Sequence, residues 1–232
     1  MSTVRKLLQE YKLVVLGSSG SGKSLFVDKF IAANPGCECQ CDNKRTIDDS
    51  FRKQIVTGDE VVLLDILDTT ESKYGAFYEA YIRTSEGFVL LYSITSRQSF
   101  EALSTFRQDI LRIKNEDFVP MVIVGTKRDL ESDREVSPQE GRALADSFGC
   151  SFFEVAPMGS WGDNEEQKAV FDELVRCIRR ISKSEEDVQR RTGSSRSDRR
   201  RTHIPGICFF CCIKVWDILR YGPCLDRSKG DR

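Results

Sequence analysis

The stretch from residue 17 to residue 24, Gly17-Ser18-Ser19-Gly20-Ser21-Gly22-Lys23-Ser24, decides the fold. Its spacing, G-x-x-x-x-G-K-S, is typical of a loop that binds a polyphosphate. An apolar run, Lys12 to Leu16, precedes it and predicts a buried strand, and Leu25 to Ile31 follows with the pattern of a helix. The sequence therefore predicts a strand, a phosphate-binding loop and a helix, in that order.

The residue types in this loop suit the chemistry of phosphate binding. Small residues let backbone N–H groups surround the phosphates, and the N-terminus of the following helix adds a partial positive charge. We expect Lys23 to reach the β- and γ-phosphates and the Ser24 hydroxyl to bind Mg²⁺. The alternative, an ordinary glycine- and serine-rich loop, is disfavoured because Gly-Lys-Ser lies in register between a strand and a helix.

Length and composition limit the classes of protein that fit this sequence. The chain has 232 residues, 40% of them hydrophobic, and a net charge of −1, which predicts one domain of about 170 residues plus an extension. The polar first eleven residues do not resemble a secretory signal, so the nine cysteines are expected to be reduced thiols in the cytosol. The only histidine, His203, lies far from the loop, which argues against Ser-His or Cys-His catalysis.

Strand-like and helix-like segments alternate along the first 182 residues and predict a doubly wound α/β domain. We expect its six-stranded sheet to be mostly parallel, with one antiparallel hairpin at the turn Thr57-Gly58-Asp59-Glu60. Ser137-Pro138-Gln139-Glu140 is the capping pattern of a helix start. The predicted organisation is an N-terminal extension (residues 1–10), the domain (11–182) and a disordered tail (183–232).

Polar residues follow the predicted strands where a doubly wound sheet binds its ligands. Asp68 follows the third strand and is a candidate for the Mg²⁺ shell. Asp129 follows the fifth strand, and its carboxylate can accept hydrogen bonds from the N1–H and amino groups of guanine, which adenine lacks as a pair. Either aspartate alone could be an ordinary solvated surface residue. The order of all three motifs favours guanine nucleotide binding, with the stem of Lys127 along the base.

Together these motifs resemble the Ras family of small GTPases from about Lys12 to Ile181. The segment Thr46 to Gln54 resembles the family's switch I, and Arg83 to Phe88 resembles its approach to the fourth strand. The resemblance implies a GTP/GDP switch that uses Mg²⁺ and works with effector proteins, an exchange factor and a GTPase-activating protein. Lys23 and Thr46 would act in catalysis, and the Ala156 N–H would meet the guanine O6.

The resemblance also assigns sites to individual residues of this chain. The implied nucleotide contacts are Gly17, Ser18, Ser19, Gly20, Ser21, Gly22, Lys23, Ser24, Leu25, Thr46, Asp68, Thr126, Lys127, Asp129 and Ala156. The implied metal ligands are Ser24, Thr46 and Asp68. The implied effector segment is Thr46, Ile47, Asp48, Asp49, Ser50 and Phe51.

Three departures from the family bear on mechanism. The segment after Asp68 reads Thr69-Thr70-Glu71-Ser72-Lys73 and lacks the glutamine that orients the attacking water. Ser19 stands where the family has a glycine, and its side chain would crowd an arginine finger. No aromatic residue lies between Phe30 and Phe51 to cover the base. These departures predict slow hydrolysis and weakened base stacking.

Cys37, Cys39 and Cys41 fall in an insertion of the first switch segment. Their C-x-C-x-C spacing differs from that of structural zinc sites, and no fourth ligand lies nearby in sequence. We therefore expect an exposed, reducible loop, with soft-metal binding as the alternative.

The tail combines scattered arginines with clustered cysteines. A basic stretch beside acylated cysteines is a two-signal membrane anchor, and the palmitoylation candidates are Cys208, Cys211, Cys212 and Cys224. The chain ends without a C-a-a-X box, so prenylation is not expected. We expect the protein to be located at the cytoplasmic face of a membrane, with the plasma membrane as the first candidate. A segment that docks on the domain or on a partner is the alternative. No aromatic platforms accompany the arginines, so nucleic acid is not an expected partner.

Two hypotheses follow from the sequence. The first is a membrane-associated Ras-like GTPase with slow hydrolysis. The second is a pseudo-GTPase, an interaction module that binds partners without a cycle driven by hydrolysis.

Overall fold

A computed structural model describes residues 8–32, 49–69, 78–156 and 165–192. The six strands of its sheet are β1 (Gln9–Gly17), β2 (Asp49–Thr57), β3 (Glu60–Asp68), β4 (Gly87–Ser93), β5 (Met121–Thr126) and β6 (Ser151–Glu154). The α-helices within the described ranges are α1 (Lys23–Ala32), α2 (Tyr78–Thr84), α3 (Arg97–Lys114), α4 (Pro138–Phe148) and α5 (Glu165–Thr192). None of the described helices is both long and apolar enough to cross a membrane.

The six strands form one sheet in the order β2-β3-β1-β4-β5-β6. All neighbouring strands pair in parallel except β2 and β3, which are antiparallel and connected through Gly58. Gly58 has a φ of 64°, a left-handed conformation that glycine adopts without steric cost. The predicted doubly wound, mostly parallel α/β fold and its hairpin are confirmed.

The continuous apolar strands are buried on both faces, as the central strands of such a sheet require. Along β1, Leu13 and Val15 belong to one core with side chains of α1 and α5, such as Phe171. Val14 and Leu16 belong to a second core with side chains of α2, α3 and α4. Successive side chains of a strand point to opposite faces, so one apolar run contributes to two cores and holds the loop after Leu16 over the sheet edge.

Side-chain caps define the start of α4 as the sequence predicted. The Ser137 hydroxyl accepts a hydrogen bond from the Glu140 N–H, and the Glu140 carboxylate accepts one from the Ser137 N–H at 2.9 Å. Pro138 occupies the first turn, and Gly149 ends the helix with a φ of 70°. This reciprocal arrangement satisfies backbone donors that a helix start otherwise leaves unpaired.

Two predicted boundaries are wrong, and one helix was not predicted. Strand β1 begins at Gln9, which pairs with Val62, so the last two residues of the expected N-terminal extension belong to the sheet. Helix α5 continues to Thr192, so residues 183–192 are helical and not part of a disordered tail. Helix α2 has seven residues, too few for its periodicity to stand out in the sequence.

The extension of α5 has a physical reason. Adding a residue to an existing helix fixes few dihedral angles for each hydrogen bond gained, so a long helix propagates into a polar segment more easily than a new one nucleates. Asp187 and Arg190 lie 3.7 Å apart on this part of the helix as an exposed ion pair. The chain divides into two compact units after Ser184.

Candidate nucleotide-binding site

The polar residues singled out in the sequence lie at the ends of adjacent strands. Gly17, the last residue of β1, pairs with Leu91 of β4. Thr126, the last residue of β5, pairs with Ser93 of β4. Asp68 ends β3 beside Val15 of β1. The carboxyl ends of these parallel strands form one edge of the sheet, which is where ligands bind in doubly wound domains.

Three positions of the phosphate-binding loop require glycine, each for a structural reason. A Cβ atom at Gly17 would collide with the carbonyl oxygen of Leu91 and would lie 2.8 Å from the Ser21 hydroxyl oxygen. Gly20 and Gly22 have φ values of 72° and 87°, which are left-handed conformations. The loop therefore needs a glycine at Gly17 because its backbone lies close to β4. It needs glycines at Gly20 and Gly22 because the chain turns there with a left-handed backbone.

Lys23 begins α1 and turns its side chain back over the loop. Its ammonium group donates hydrogen bonds to the carbonyl oxygens of Gly17 at 2.9 Å and of Ser18 at 3.1 Å. Only 8% of the residue's surface is exposed. An ammonium group has three donors, and these two contacts hold the cation against the phosphate-binding loop.

Thr126 connects the end of β5 to the phosphate-binding loop. Its hydroxyl donates a hydrogen bond to the Ser21 carbonyl oxygen at 2.6 Å and lies 3.0 Å from the carbonyl oxygen of Tyr92. The next residue, Lys127, has a φ of 62°, an uncommon conformation for a residue with a side chain. The two predicted motifs are therefore in direct contact, although 105 positions separate the bonded residues.

A pocket of about 280 Å³ opens beside this contact. Its walls are Gly22, Leu25, Phe26, Thr126, Lys127, Asp129, Leu130, Val155 and Gln167. Asp129 is exposed at this pocket, and its carboxylate makes no hydrogen bond or ion pair to the residues that the structure describes. Leu25, with 45% of its surface exposed, adds an apolar wall. The pocket thus offers one carboxylate among apolar surfaces, which suits a flat base with adjacent donors.

The loop after β6 is held by backbone and side-chain contacts. The carbonyl oxygen of Ala156 accepts a hydrogen bond from the Lys29 ammonium at 3.2 Å. The Ala156 N–H donates to the Glu166 carboxylate at 3.1 Å. Arg128 donates to the same carboxylate at 2.5 Å and to the Glu154 carbonyl oxygen at 2.9 Å. The N–H that the sequence assigned to the guanine O6 is therefore already bound to a carboxylate.

Gln167, on α5, places a polar group in the pocket wall. Only 1% of its surface is exposed, and neither atom of its amide has a hydrogen-bond partner among the described residues. Such a group is costly to bury without a partner, by about 1–3 kcal/mol. Its amide is therefore a further candidate contact for a ligand in this pocket.

The residues that the sequence assigned to Mg²⁺ are chemically suited to it. Ser24 lies in the first turn of α1, and Asp68 is buried at the end of β3 with 1% of its surface exposed. Thr69, next to it, donates a hydrogen bond to the Val15 carbonyl oxygen at 2.7 Å, which fixes the chain after β3. Hydroxyl and carboxylate oxygens are ligands that Mg²⁺ prefers, with phosphate and water completing its shell.

The described residues contain no group of three or more His, Cys, Asp or Glu side chains that could hold a metal by themselves.

Several predicted site residues lie outside the described ranges. These are Thr46, Ile47 and Asp48 of the effector segment, Thr70 to Lys73, the cysteines Cys37, Cys39 and Cys41, and the acylation candidates Cys208, Cys211, Cys212 and Cys224. Within the described part of the effector segment, Asp49 begins β2. Ser50 is exposed and donates a hydrogen bond to Asp65 at 2.6 Å, whereas Phe51 packs partly against the core.

Sequence reasoning missed Arg128, Glu166 and Gln167. Gln167 carried a signal, because it stands on the same helical stripe as Val170, Phe171 and Leu174, where an apolar residue is expected. Glu166 looked like an ordinary acidic residue in the first turn of a helix. Its contact with Ala156 depends on how α5 is placed against the loop after β6, which local sequence does not encode.

Comparison with known proteins agrees with this geometry. The Ras family matches residues 12–180 of the chain. A Ras-like protein of Laccaria bicolor is 44% identical over 210 residues, which cover 90% of this chain and 97% of that relative. The chain therefore belongs to the Ras family.

Proposed function

We propose that this chain is a GTP- and GDP-dependent signalling switch at a membrane, with slow hydrolysis of GTP. Members of the Ras family are GTPases that bind guanine nucleotides with Mg²⁺. The observation that carries the proposal is the contact between the two binding motifs. Thr126, at the end of β5, donates to the phosphate-binding loop at Ser21, beside a pocket that contains Asp129.

Base recognition depends on Asp129 and Lys127. The Asp129 carboxylate would accept hydrogen bonds from the N1–H and the 2-amino group of guanine, and the aliphatic stem of Lys127 would lie along the ring. Leu25 and Leu130 supply apolar surface in the pocket wall. Two hydrogen bonds accepted by one carboxylate favour guanine over adenine, because a bound adenine would leave the acceptors of Asp129 unpaired.

Phosphate binding and hydrolysis depend on the loop and its cation. Backbone N–H groups of residues 17–24 and the Lys23 ammonium would hold the β- and γ-phosphates and stabilise the negative charge that spreads over the γ-phosphate as water attacks. Ser24, Asp68 and Thr46 would hold Mg²⁺, which neutralises charge on the phosphate oxygens. No glutamine follows Asp68 to orient the water, and Ser19 is exposed at the loop. Hydrolysis is therefore slow.

The proposed effector surface includes the start of β2. This strand lies at the edge of the sheet, so one of its sides has no neighbouring strand within the six-stranded sheet. Exposed strand edges offer backbone donors and acceptors to a partner. Effectors would read Thr46 to Phe51 there, and an exchange factor and a GTPase-activating protein would control the nucleotide state.

The membrane part of the proposal rests on the tail sequence. Scattered arginines attract anionic lipid headgroups, and acyl chains on Cys208, Cys211, Cys212 or Cys224 would add apolar anchoring. Two weak signals together give stable attachment where one alone is reversible. The expected location is the cytoplasmic face of the plasma membrane.

Guanine binding is tested by competition on the full-length chain after its nucleotide has been removed. A fluorescent GDP analogue should bind and be displaced by GDP, and a large excess of ATP should leave it bound. Asp129→Asn should weaken the binding of GDP by about tenfold or more, because the amide side chain presents one acceptor where two are needed. Displacement by ATP as effectively as by GDP would contradict the proposal.

Glu131→Gln is the matched control for that variant. Glu131 is an exposed carboxylate two residues away that forms an ion pair with Arg134, and its substitution should leave GDP affinity within about twofold.

A pseudo-GTPase would instead hold nucleotide without turnover. Hydrogen exchange over residues 70–73 that is identical with GDP and with a GTP analogue would favour that alternative.

A further inference from the structure

Two separate segments of the chain form part of the pocket wall, and a side chain outside the wall joins them. The loop after β5 supplies Asp129 and Leu130, and the residue after β6 supplies Val155. Arg134 lies outside the pocket wall. It follows a short 3₁₀ helix (Glu131–Asp133), with which the first of these segments ends. A contact from Arg134 to β6 therefore connects the two segments.

The Arg134 guanidinium binds the Glu154 carboxylate, at the end of β6, through both of its terminal nitrogens. The distances are 2.8 Å from Nη1 to Oε1 and 3.1 Å from Nη2 to Oε2. Both side chains are shielded from solvent, with 12% of each exposed. Because a bidentate pair fixes orientation as well as distance, Glu154 is held in one position relative to the 3₁₀ helix. We call this contact between Arg134 and Glu154 the Arg134 clamp.

The residue before Asp129 is attached to the same end of β6. The Arg128 guanidinium donates a hydrogen bond to the Glu154 carbonyl oxygen at 2.9 Å. The Arg128 N–H donates to the Val155 carbonyl oxygen at 3.3 Å. The loop after β5 is thus attached to the end of β6 on both sides of Asp129, by Arg128 before it and by Arg134 after it.

Backbone hydrogen bonds connect the clamp to Asp129. The Leu130 N–H donates to the Lys127 carbonyl oxygen at 2.8 Å, and the Asp133 N–H donates to the Leu130 carbonyl oxygen at 3.1 Å. The Asp129 carboxylate makes no hydrogen bond or ion pair of its own to the described residues. Its position therefore depends on the backbone that Arg134 and Arg128 attach to β6.

We propose that Arg134 is a positioning residue, which through its clamp on Glu154 holds Asp129 in place for the N1–H and 2-amino groups of guanine. This inference rests on the proposed guanine nucleotide binding. A site on a loop is held less precisely than one on a helix or strand unless surrounding contacts fix it, and Asp129 lies on a loop. Loss of the clamp weakens discrimination of the 2-amino group and lets the nucleotide dissociate faster.

The test compares Arg134→Lys with the unaltered full-length chain in the presence of Mg²⁺. Lysine keeps the charge but lacks the planar fork that a bidentate contact needs. GDP should dissociate from Arg134→Lys about three- to tenfold faster. Inosine diphosphate lacks the 2-amino group, so the ratio of its dissociation constant to that of GDP should fall by about threefold or more. A general loss of stability would weaken both nucleotides equally and leave this ratio unchanged.

Glu154→Gln tests the clamp from its other side. Glutamine keeps the shape of the side chain and replaces one of the two acceptor oxygens by a donor. This variant should reproduce the lower preference for GDP over inosine diphosphate. Because both substitutions remove the same contact, the double variant should differ from the weaker-binding single variant by less than about twofold.

Arg179→Lys is the matched control, because it makes the same substitution in an ion pair that lies outside the pocket wall. Arg179 lies 3.0 Å from Glu60 and donates a hydrogen bond to the Tyr11 hydroxyl at 2.9 Å, so it connects α5 to the sheet. Its substitution should lower the urea unfolding midpoint. The GDP dissociation rate and the preference for GDP over inosine diphosphate should both stay within about twofold.

Each result decides the proposal. An unchanged preference for GDP over inosine diphosphate in both Arg134→Lys and Glu154→Gln would overturn the clamp while leaving guanine binding established. An equal loss of preference in Arg179→Lys would also overturn it, since destabilisation of the fold would then account for the effect. Failure of the unaltered chain to prefer GDP to ATP would overturn the proposed function, and the clamp with it.

Discussion

Lys127 shows at the scale of a single residue how the site is built against local preference. Its backbone is left-handed, with a φ of 62°. This conformation costs a residue that has a Cβ atom about 1–2 kcal/mol of free energy. The hydrogen bonds of its neighbours, from the Leu130 N–H to the Lys127 carbonyl oxygen and from Thr126 to Ser21, hold it there. Conformations of this kind concentrate at functional sites, and here the conformation lies between the phosphate loop and Asp129.

Ser19 carries a prediction at the same scale. Because its side chain would crowd an arginine finger and the geometry of the transition state, Ser19→Gly should raise the rate of single-turnover GTP hydrolysis by about two- to tenfold. Unaltered protein should hydrolyse GTP more slowly than the roughly 3–5 × 10⁻⁴ s⁻¹ of intrinsic Ras activity. The measurement is phosphate release from preloaded protein.

Ser19→Ala is the matched comparison for that variant. It removes the hydroxyl and keeps the Cβ atom, so it should stay slow if crowding is the cause. An equal acceleration in Ser19→Ala and Ser19→Gly would assign the effect to the hydroxyl. A rate for the unaltered chain equal to that of ordinary Ras proteins would contradict slow hydrolysis altogether.

At the scale of elements, Glu140 joins the starts of α3 and α4. Its carboxylate caps α4 through Ser137 and forms a hydrogen-bonded ion pair with Arg97 at 2.6 Å. The hydrogen bond from Arg97, followed by those from the backbone and the hydroxyl of Ser137, lowers the pKa of Glu140 from 4.5 to about 2. The folded state therefore favours the ionised carboxylate.

This shift predicts a pH dependence of stability. A carboxyl whose pKa is lowered on folding stabilises the fold fully above its ordinary value of 4.5, and that stabilisation is lost as the pH falls towards about 2. Glu140→Gln should thus be less stable than the unaltered chain at pH 7, and the difference should shrink as the pH falls from 4.5 to 3. Urea unfolding midpoints across this range measure the effect.

Two companion variants sharpen this measurement. Ser137→Ala removes the cap but not the Arg97 pair and should cost about 1 kcal/mol at pH 7. Glu101→Gln, at an exposed position of α3, should change the urea unfolding midpoint at pH 7 only slightly. A difference between Glu140→Gln and the unaltered chain that stays constant from pH 7 to pH 3 would rule out a role for the Glu140 charge.

At the scale of the whole molecule, the tail is expected to decide where the protein resides. A chain ending at Thr192 keeps all of α5 and removes the clustered cysteines. It should remain soluble in cells in which the full-length chain sediments with membranes, because both anchoring signals have been removed. Fractionation followed by immunoblotting measures this distribution.

Substitution of the tail cysteines separates the two anchoring signals. Changing Cys208, Cys211, Cys212 and Cys224 to serine leaves the arginines in place and should reduce membrane binding to a weak, salt-sensitive level. If the chain ending at Thr192 associates with membranes as well as the full-length chain does, the tail is not the anchor.

The sequence by itself determined the fold class, the order of the strands and of the helices other than α2, and the three motifs at the strand ends. It could do so because these features are local: apolar runs, glycines with required conformations and capping residues act over a few neighbouring positions. The same local patterns misplaced the end of α5, since the propagation of a helix depends on what precedes it.

Only the tertiary structure decided how these motifs meet. The hydrogen bond from Thr126 to Ser21 and the one from Ala156 to the Glu166 carboxylate each join different parts of the fold. The pocket wall that contains the buried amide of Gln167 is likewise built from several elements. Such contacts depend on the packing of α1 and α5 against one face of the sheet. The sequence therefore specified a site for a guanine nucleotide, and packing decided that the Ala156 N–H, which the family resemblance assigned to the O6 atom, donates to the Glu166 carboxylate.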